Sequence, residues 1–210
     1  MHKSSAGNCS PIFLLAAFFI LELAGVDGAR AANVVNPSFE LPVAGPPLNY
    51  IADPPTTSGI GWTFSDQPVG SNSGVQQSGV AFGGPVTTDG DQTGWILNLS
   101  MISQSIDFTA GGDYTVSFRV AYGSFSNESI KVTLDGVELQ TVKPSSNKNF
   151  SQVTAAFSTT SGKHTLRFAG IGPISTGEQA VVFIDEVAIK GPLPQISDGP
   201  STSIRPARSP

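Results

Sequence analysis

The sequence predicts an all-β fold, a two-sheet antiparallel β-sandwich, on three observations. About eight segments alternate apolar with polar residues at a period of two. Turn-forming Gly, Asn, Asp, Ser and Pro separate them, and after residue 31 no stretch spaces its apolar residues as a helix would. Strands following one another through turns, without helices to cover a sheet, bury their apolar faces by packing sheet on sheet.

The first 31 residues read as a signal peptide. Lys3 precedes an apolar run, Ile12 to Gly25, which is as long as a signal core and shorter than the ~20 residues that cross a bilayer. Ala29-Arg30-Ala31 then offers a small-x-small cleavage site. A retained anchor is the alternative, opposed by the length of the run and by Glu22 within it. The expected mature chain starts at Ala32, has no transmembrane segment, and works outside the cell or in the cell envelope. Cleavage removes the single cysteine, Cys9, so the domain expected at 32–190 has no disulfide and holds by its core, for which ~160 residues suffice. The formal charge is −5, and the basic residues after the leader are scattered from Arg119 onward, which argues against nucleic acid as a partner.

In chain order, Asn33–Glu40 (NVVNPSFE) reads as a first strand, broken by Pro37 and suited to an edge. Residues 41–60 form a loop with five prolines and Tyr50, and Gly61–Phe64 a short strand. Residues 66–93 are rich in Gly, Ser, Gln and Asp with one weak strand at 79–82, the kind of long loop that often carries a site. Ile102, Gln104, Ile106 and Phe108 share one parity, as do Tyr114, Val116, Phe118 and Val120 after Thr109-Ala110-Gly111-Gly112, so the two segments are expected to pair as a hairpin. Asp135-Gly136 marks a second hairpin, with Leu134 opposite Val137 and Val132 opposite Leu139. Val153–Phe157 and Lys163–Phe168 continue the pattern. Ala180–Ile189, apolar on both parities up to Asp185, is expected to be central in its sheet. Residues 191–210, with five prolines, read as a disordered Pro/Ser-rich tail.

Several landmarks in this order resemble a known family: NPSFE, GWTF, DGDQ before Trp95, ISQSIDFTAGGDYTVSFR, VTLDG, SGKHTLRFAG and FIDEVAI. Over residues 33–190 the chain is similar to secreted jelly-roll domains of the galactose-binding type, including the carbohydrate-binding modules found beside xylanases and cellulases. The resemblance implies a two-sheet jelly roll, non-catalytic binding of polysaccharide or glycan, and a structural calcium ion (Ca2+). It places that ion on Glu40 and Asp185, which match the acids of the family's SFE and IDDV motifs, with Asn36 as a carbonyl donor. Glu186 stands where the family has a second Asp, which leaves its role open.

The residues themselves give catalysis little support. The mature chain has one histidine, His164, on the parity of Leu166 and Phe168, and it carries no nucleophile elbow, zinc helix motif or phosphate loop. Asp185 and Glu186, adjacent on a strand, are expected on opposite faces and so form no glycosidase pair. Glu40 and Asp185 come together if the first and last strands lie side by side, and two such carboxylates suit a hard cation. For a sugar, the candidate residues are Trp95 and Tyr122 as stacking rings and Ser117 and Arg119 on the polar face of their strand, whereas Trp62 and Tyr114 are expected in the core. A monomeric glycan-binding domain is the first reading. An adhesive surface or matrix protein on the same sandwich is the second, and a glycan-active enzyme the third.

Overall fold

The structure is a computed structural model, and it describes residues 32–56, 59–65, 71–123, 129–172 and 179–192. The expected signal peptide, and the expected tail from residue 193, lie outside the described residues. The strands are β1 (Tyr50–Ala52), β2 (Thr63–Ser65), β3 (Ser73–Gln77), β4 (Gln92–Leu97), β5 (Met101–Phe108) and β6 (Gly112–Tyr122), then β7 (Ile130–Leu134), β8 (Val137–Val142), β9 (Ser151–Thr159), β10 (Gly162–Gly170) and β11 (Val181–Lys190). They form a six-stranded sheet, β1-β3-β4-β11-β6-β9, and a five-stranded sheet, β2-β5-β10-β7-β8. All pairings are antiparallel, and no helix occurs among the described residues. The expected sandwich is the fold. β11 lies inside the six-stranded sheet between β4 and β6, as its two apolar faces require.

The segments 102–108 and 114–120 are strands, but they do not form the expected hairpin. β5 pairs with β2 and β10, whereas β6 pairs with β11 and β9 in the other sheet. Parity fixes which side of each strand is buried and leaves the partner open; here the turn carries the chain from one layer to the other. Gly112 at its end has φ 149°, a conformation open to glycine. The two apolar rows then meet face to face, Phe108 on Tyr114 with ring centroids 4.9 Å apart.

At Asp135-Gly136 both residues have positive φ, as a two-residue hairpin turn demands. Leu134 faces Val137 as expected, but a bulge after Val132 puts that residue opposite Gln140 instead of Leu139. The expected strand 33–40 is an irregular strap, preceded by one isolated bridge, Ala32 to Phe108. The weak strand expected at 79–82 is a turn; the strand lies just before it, in β3. β1 and β3 fall in stretches expected to be loops, and β4 begins at the end of one.

One core of inward residues from both sheets fills the sandwich, with Phe39, Trp62, Phe118 and Phe168 among those fully buried. Trp62 stacks on Phe39 at 5.0 Å and donates its indole N–H to the Asn36 carbonyl at 2.8 Å. At one end of the sandwich His164 joins two turns, its Nδ1 2.6 Å from Asp135 and its Nε2 3.1 Å from the Thr160 carbonyl. The Thr165 amide and His164 hold the Asp135 carboxyl below its ordinary range. Truncating Trp62 to Ala should destabilise the fold by about 3–5 kcal/mol in denaturant unfolding, and a change under about 1 kcal/mol would show that the indole is not the keystone its burial implies.

Candidate functional site

The outward residues of the six-stranded sheet form two unlike halves, and strand register decides which residues share each. β6 turns Ser117 and Arg119 outward between the buried Val116, Phe118 and Val120. Gln152 of β9 lies opposite Arg119. In β11 the register slips between Asp185 and Ala188, and Glu186 takes a positive φ of 49°, the signature of a bulge. Asp185 and Glu186 therefore do not point to opposite faces as strict alternation predicts. Asp185 pairs in register with Arg119, while Glu186 brings Oε1 to 2.6 Å from Arg119 Nε. This is a close charge contact without hydrogen-bond alignment, about one third exposed on both sides.

These groups floor a cleft of about 620 Å³ that also meets Lys190 and is walled by the strap at Asn33, Pro37 and Ser38 and by Asp89. The strap stands there because Gln104, on the apolar parity of β5, accepts from the Val35 amide at 2.8 Å and donates to its carbonyl at 2.9 Å. On its other side the Val187 amide donates to the Pro37 carbonyl at 3.0 Å. Arg119 and Ser117 thus sit together on the floor of this cleft, on the outward side that their parity predicts.

The two aromatic candidates do not join them. Tyr122 pairs with Val182, a core residue, so its parity points it to the inner side and away from the face of Arg119. Trp95 is on the outer face but is 1% exposed, within a second cluster with Leu97, Ala121, Val181 and Phe183. Phe82 and Tyr50 cover it, at 4.9 and 6.2 Å between ring centroids. The expectation of an open Trp95 platform is corrected: the loop before β4 folds back over the indole, a long-range event that a period-two pattern does not encode.

Between the halves, a tight loop at 87–92 gathers acids. Thr87 donates its hydroxyl to the Asp185 carboxylate, Ser38 donates to Asp89, and Glu40 Oε1 accepts from the amides of Asp91 and Gln92 at 3.0 and 3.1 Å. Asp185 thus meets the Thr87 end of this loop and Glu40 its Asp91–Gln92 end. Asp185 has no exposure. Burial, aided by the charges of Glu186 and Asp89 and opposed by its hydrogen bonds to Thr87 and the Glu186 amide, pushes its carboxyl up to about 7. The carbonyl of Asn36 is already taken, by Trp62 Nε1 and the Phe39 amide, so it is not the free donor that the sequence suggests. Among the described residues no three His, Cys, Asp or Glu side chains converge on one point, and no helix is long and apolar enough to cross a membrane.

Sequence reasoning missed Gln152 and Lys190, and although it marked the stretch 66–93 and the DGDQ before Trp95, it gave no role to Thr87 or Asp89 within them. Gln152 alternates with Val153 and is recoverable from parity once β9 is known to flank β6. The loop carries no periodic signal.

The sequence model of "Carbohydrate binding module (family 6)" matches residues 71–190. Among solved structures, the CBM22-1 xylan-binding domain from Paenibacillus barcinonensis Xyn10C is 14% identical, with 62% of this chain and 85% of that chain covered at a TM-score of 0.45. TmCBM61 in complex with β-1,4-galactotriose is 15% identical, with 74% and 94% covered at 0.45. CBM36 in complex with calcium and xylotriose is 13% identical, with 61% and 92% covered at 0.42. No curated protein matches. The family match runs from the start of β3 to the end of β11, across every strand that floors the cleft and over more than half of the chain, and the chain belongs to carbohydrate-binding module family 6.

Proposed function

We propose that this chain is a secreted, non-catalytic module that binds a polysaccharide or glycan in the cleft of Arg119 and Glu186, with a structural calcium ion beside Asp185. The observation that carries the reading is the cleft itself. It mixes donors and acceptors, Arg119 and Lys190 with Glu186, Ser117 and Gln152, on strands rather than on mobile loops. Vicinal hydroxyls both donate and accept, and a planar guanidinium fixed by its neighbour presents several donors to them. His164 supports a non-catalytic reading, because both of its ring nitrogens are engaged by Asp135 and the Thr160 carbonyl at the hairpin end of the five-stranded sheet. Arg119→Ala should weaken binding to the best ligand of a glycan array by about tenfold, roughly 1.4 kcal/mol, at unchanged melting temperature. Unchanged affinity in calorimetry would remove the cleft from the reading, and an array without any ligand would favour an adhesive role toward protein.

The calcium part of the proposal rests on the buried acid. A fully buried carboxyl with two further carboxylates acting on it and a pKa raised to about 7 is short of positive charge, and calcium accepts mixed carboxylate and main-chain oxygen ligands. Asp185 and Glu40 would hold it, with carbonyls of the 87–92 loop; the bound charge would let Asp185 ionise without loss of stability. Chelator should then lower the melting temperature, by about 2.7 kcal/mol of linkage per hundredfold excess of calcium over its dissociation constant. Glu40→Gln, which keeps an oxygen for the Asp91 and Gln92 amides, should abolish that response, and wild-type melting indifferent to chelator would refute the site.

Export with cleavage after Ala31 belongs to the same reading, and it places the domain outside the cell or in the envelope. The exported protein should begin at Ala32 on N-terminal sequencing; a start at Met1 would refute it.

A further inference from the structure

Three polar atoms lie buried and unpartnered side by side on the covered half of the outer face: Gln76 Oε1, Thr93 Oγ1 and Trp95 Nε1. Each residue is 1% exposed. Gln76 and Thr93 are direct cross-strand neighbours, and Trp95 follows two residues along β4 on the same face, so the three can serve one small ligand. Orphan polar atoms are rare inside proteins because each forfeits its bonds to water. A donor, an acceptor and a hydroxyl that does both, set around an indole, match the hydroxyls and C–H face of a sugar ring.

The indole is covered by Tyr50 and by Phe82, and the turn at 79–84 that carries Phe82 has few hydrogen bonds. It is joined to the sheet through Ser78, whose amide donates to the Asp91 carbonyl and whose hydroxyl accepts from the Thr87 amide. Beyond the Val80 amide, a long 3.4 Å from the Gln77 carbonyl, no main-chain hydrogen bond holds 81–84 among the described residues. Gly79 and Gly83 have positive φ and flank Phe82, itself at φ 51°, a strained setting for a side chain of that size. Phe82 lies over the indole where a pyranose ring would stack.

We propose that the Gly79–Gly84 turn is a lid over a second subsite on the same face, and that a neutral pyranose unit of the bound glycan displaces Phe82 to stack on Trp95 and bond to Gln76, Thr93 and the indole N–H. The three orphan groups are themselves uncharged, so the subsite suits a neutral sugar. The inference rests on the glycan-binding reading of the open cleft, and it reassigns Trp95 from buried packing to a covered platform.

Thr93→Val separates the outcomes, because it keeps the shape and deletes the orphan hydroxyl. Removing an unsatisfied buried group leaves stability unchanged or raised, so melting should hold while affinity for the best neutral ligand of the array falls about tenfold. In nitrogen-15 spectra of the full chain with that ligand, the Trp95 indole resonance should shift while that of Trp62, bonded to Asn36, stays. If Arg119→Ala loses affinity but Thr93→Val does not, or if the Trp95 resonance does not move, the orphan atoms are served by buried water and the subsite is overturned while the cleft stands. If the array yields no ligand at all, the binding reading fails and the subsite fails with it.

Discussion

Asn36 is the point on which the strap, and with it the cleft wall, depends. Its φ of 51° reverses the chain, its carbonyl takes the Trp62 indole and the Phe39 amide, and its side chain binds Leu41 in both directions and the Ile60 carbonyl. A short polar side chain at positive φ that caps its own turn is the case in which asparagine outperforms larger residues. The consequence extends in both directions along the chain. Toward the core, Phe39 and Trp62 stack; toward the surface, Ser38 and Glu40 meet the acid-rich loop.

The fold was legible because parity is a local property. Every inward row, from Ile102–Phe108 to Leu166–Phe168, could be read from residue spacing alone, and so could the outward placement of Ser117 and Arg119. Partner choice is different: β5 and β6 carry equally good apolar faces, and nothing in either one states whether it pairs with the other or packs upon it. Trp95 shows the same limit on the site. Its place on the outer face followed from spacing, but its cover comes from Tyr50 and Phe82, forty-five and thirteen residues away, through turns without periodicity. Asp185 and Glu186 mark a third kind of limit, since one bulge reverses the alternation on which their separation was argued.

That bulge also explains how one strand serves two environments. Before it, Val181–Ile184 is dry on both sides, as a central strand should be. After it, β4 no longer runs alongside, and the strap and the 87–92 loop take its place with main-chain carbonyls and hydroxyls. A buried acid is tolerated at Asp185 because the change in neighbours happens there, where hydrogen bonds from Thr87 and the Glu186 amide are at hand.

The strap is bonded through Gln104 to the five-stranded sheet and through Pro37 to the six-stranded one, so it sutures the seam between them. Any load applied at the cleft passes through the strap that walls it. Because the strap walls the cleft and clasps both sheets, that load is divided between the two layers in shear and does not peel a single edge strand from its neighbour.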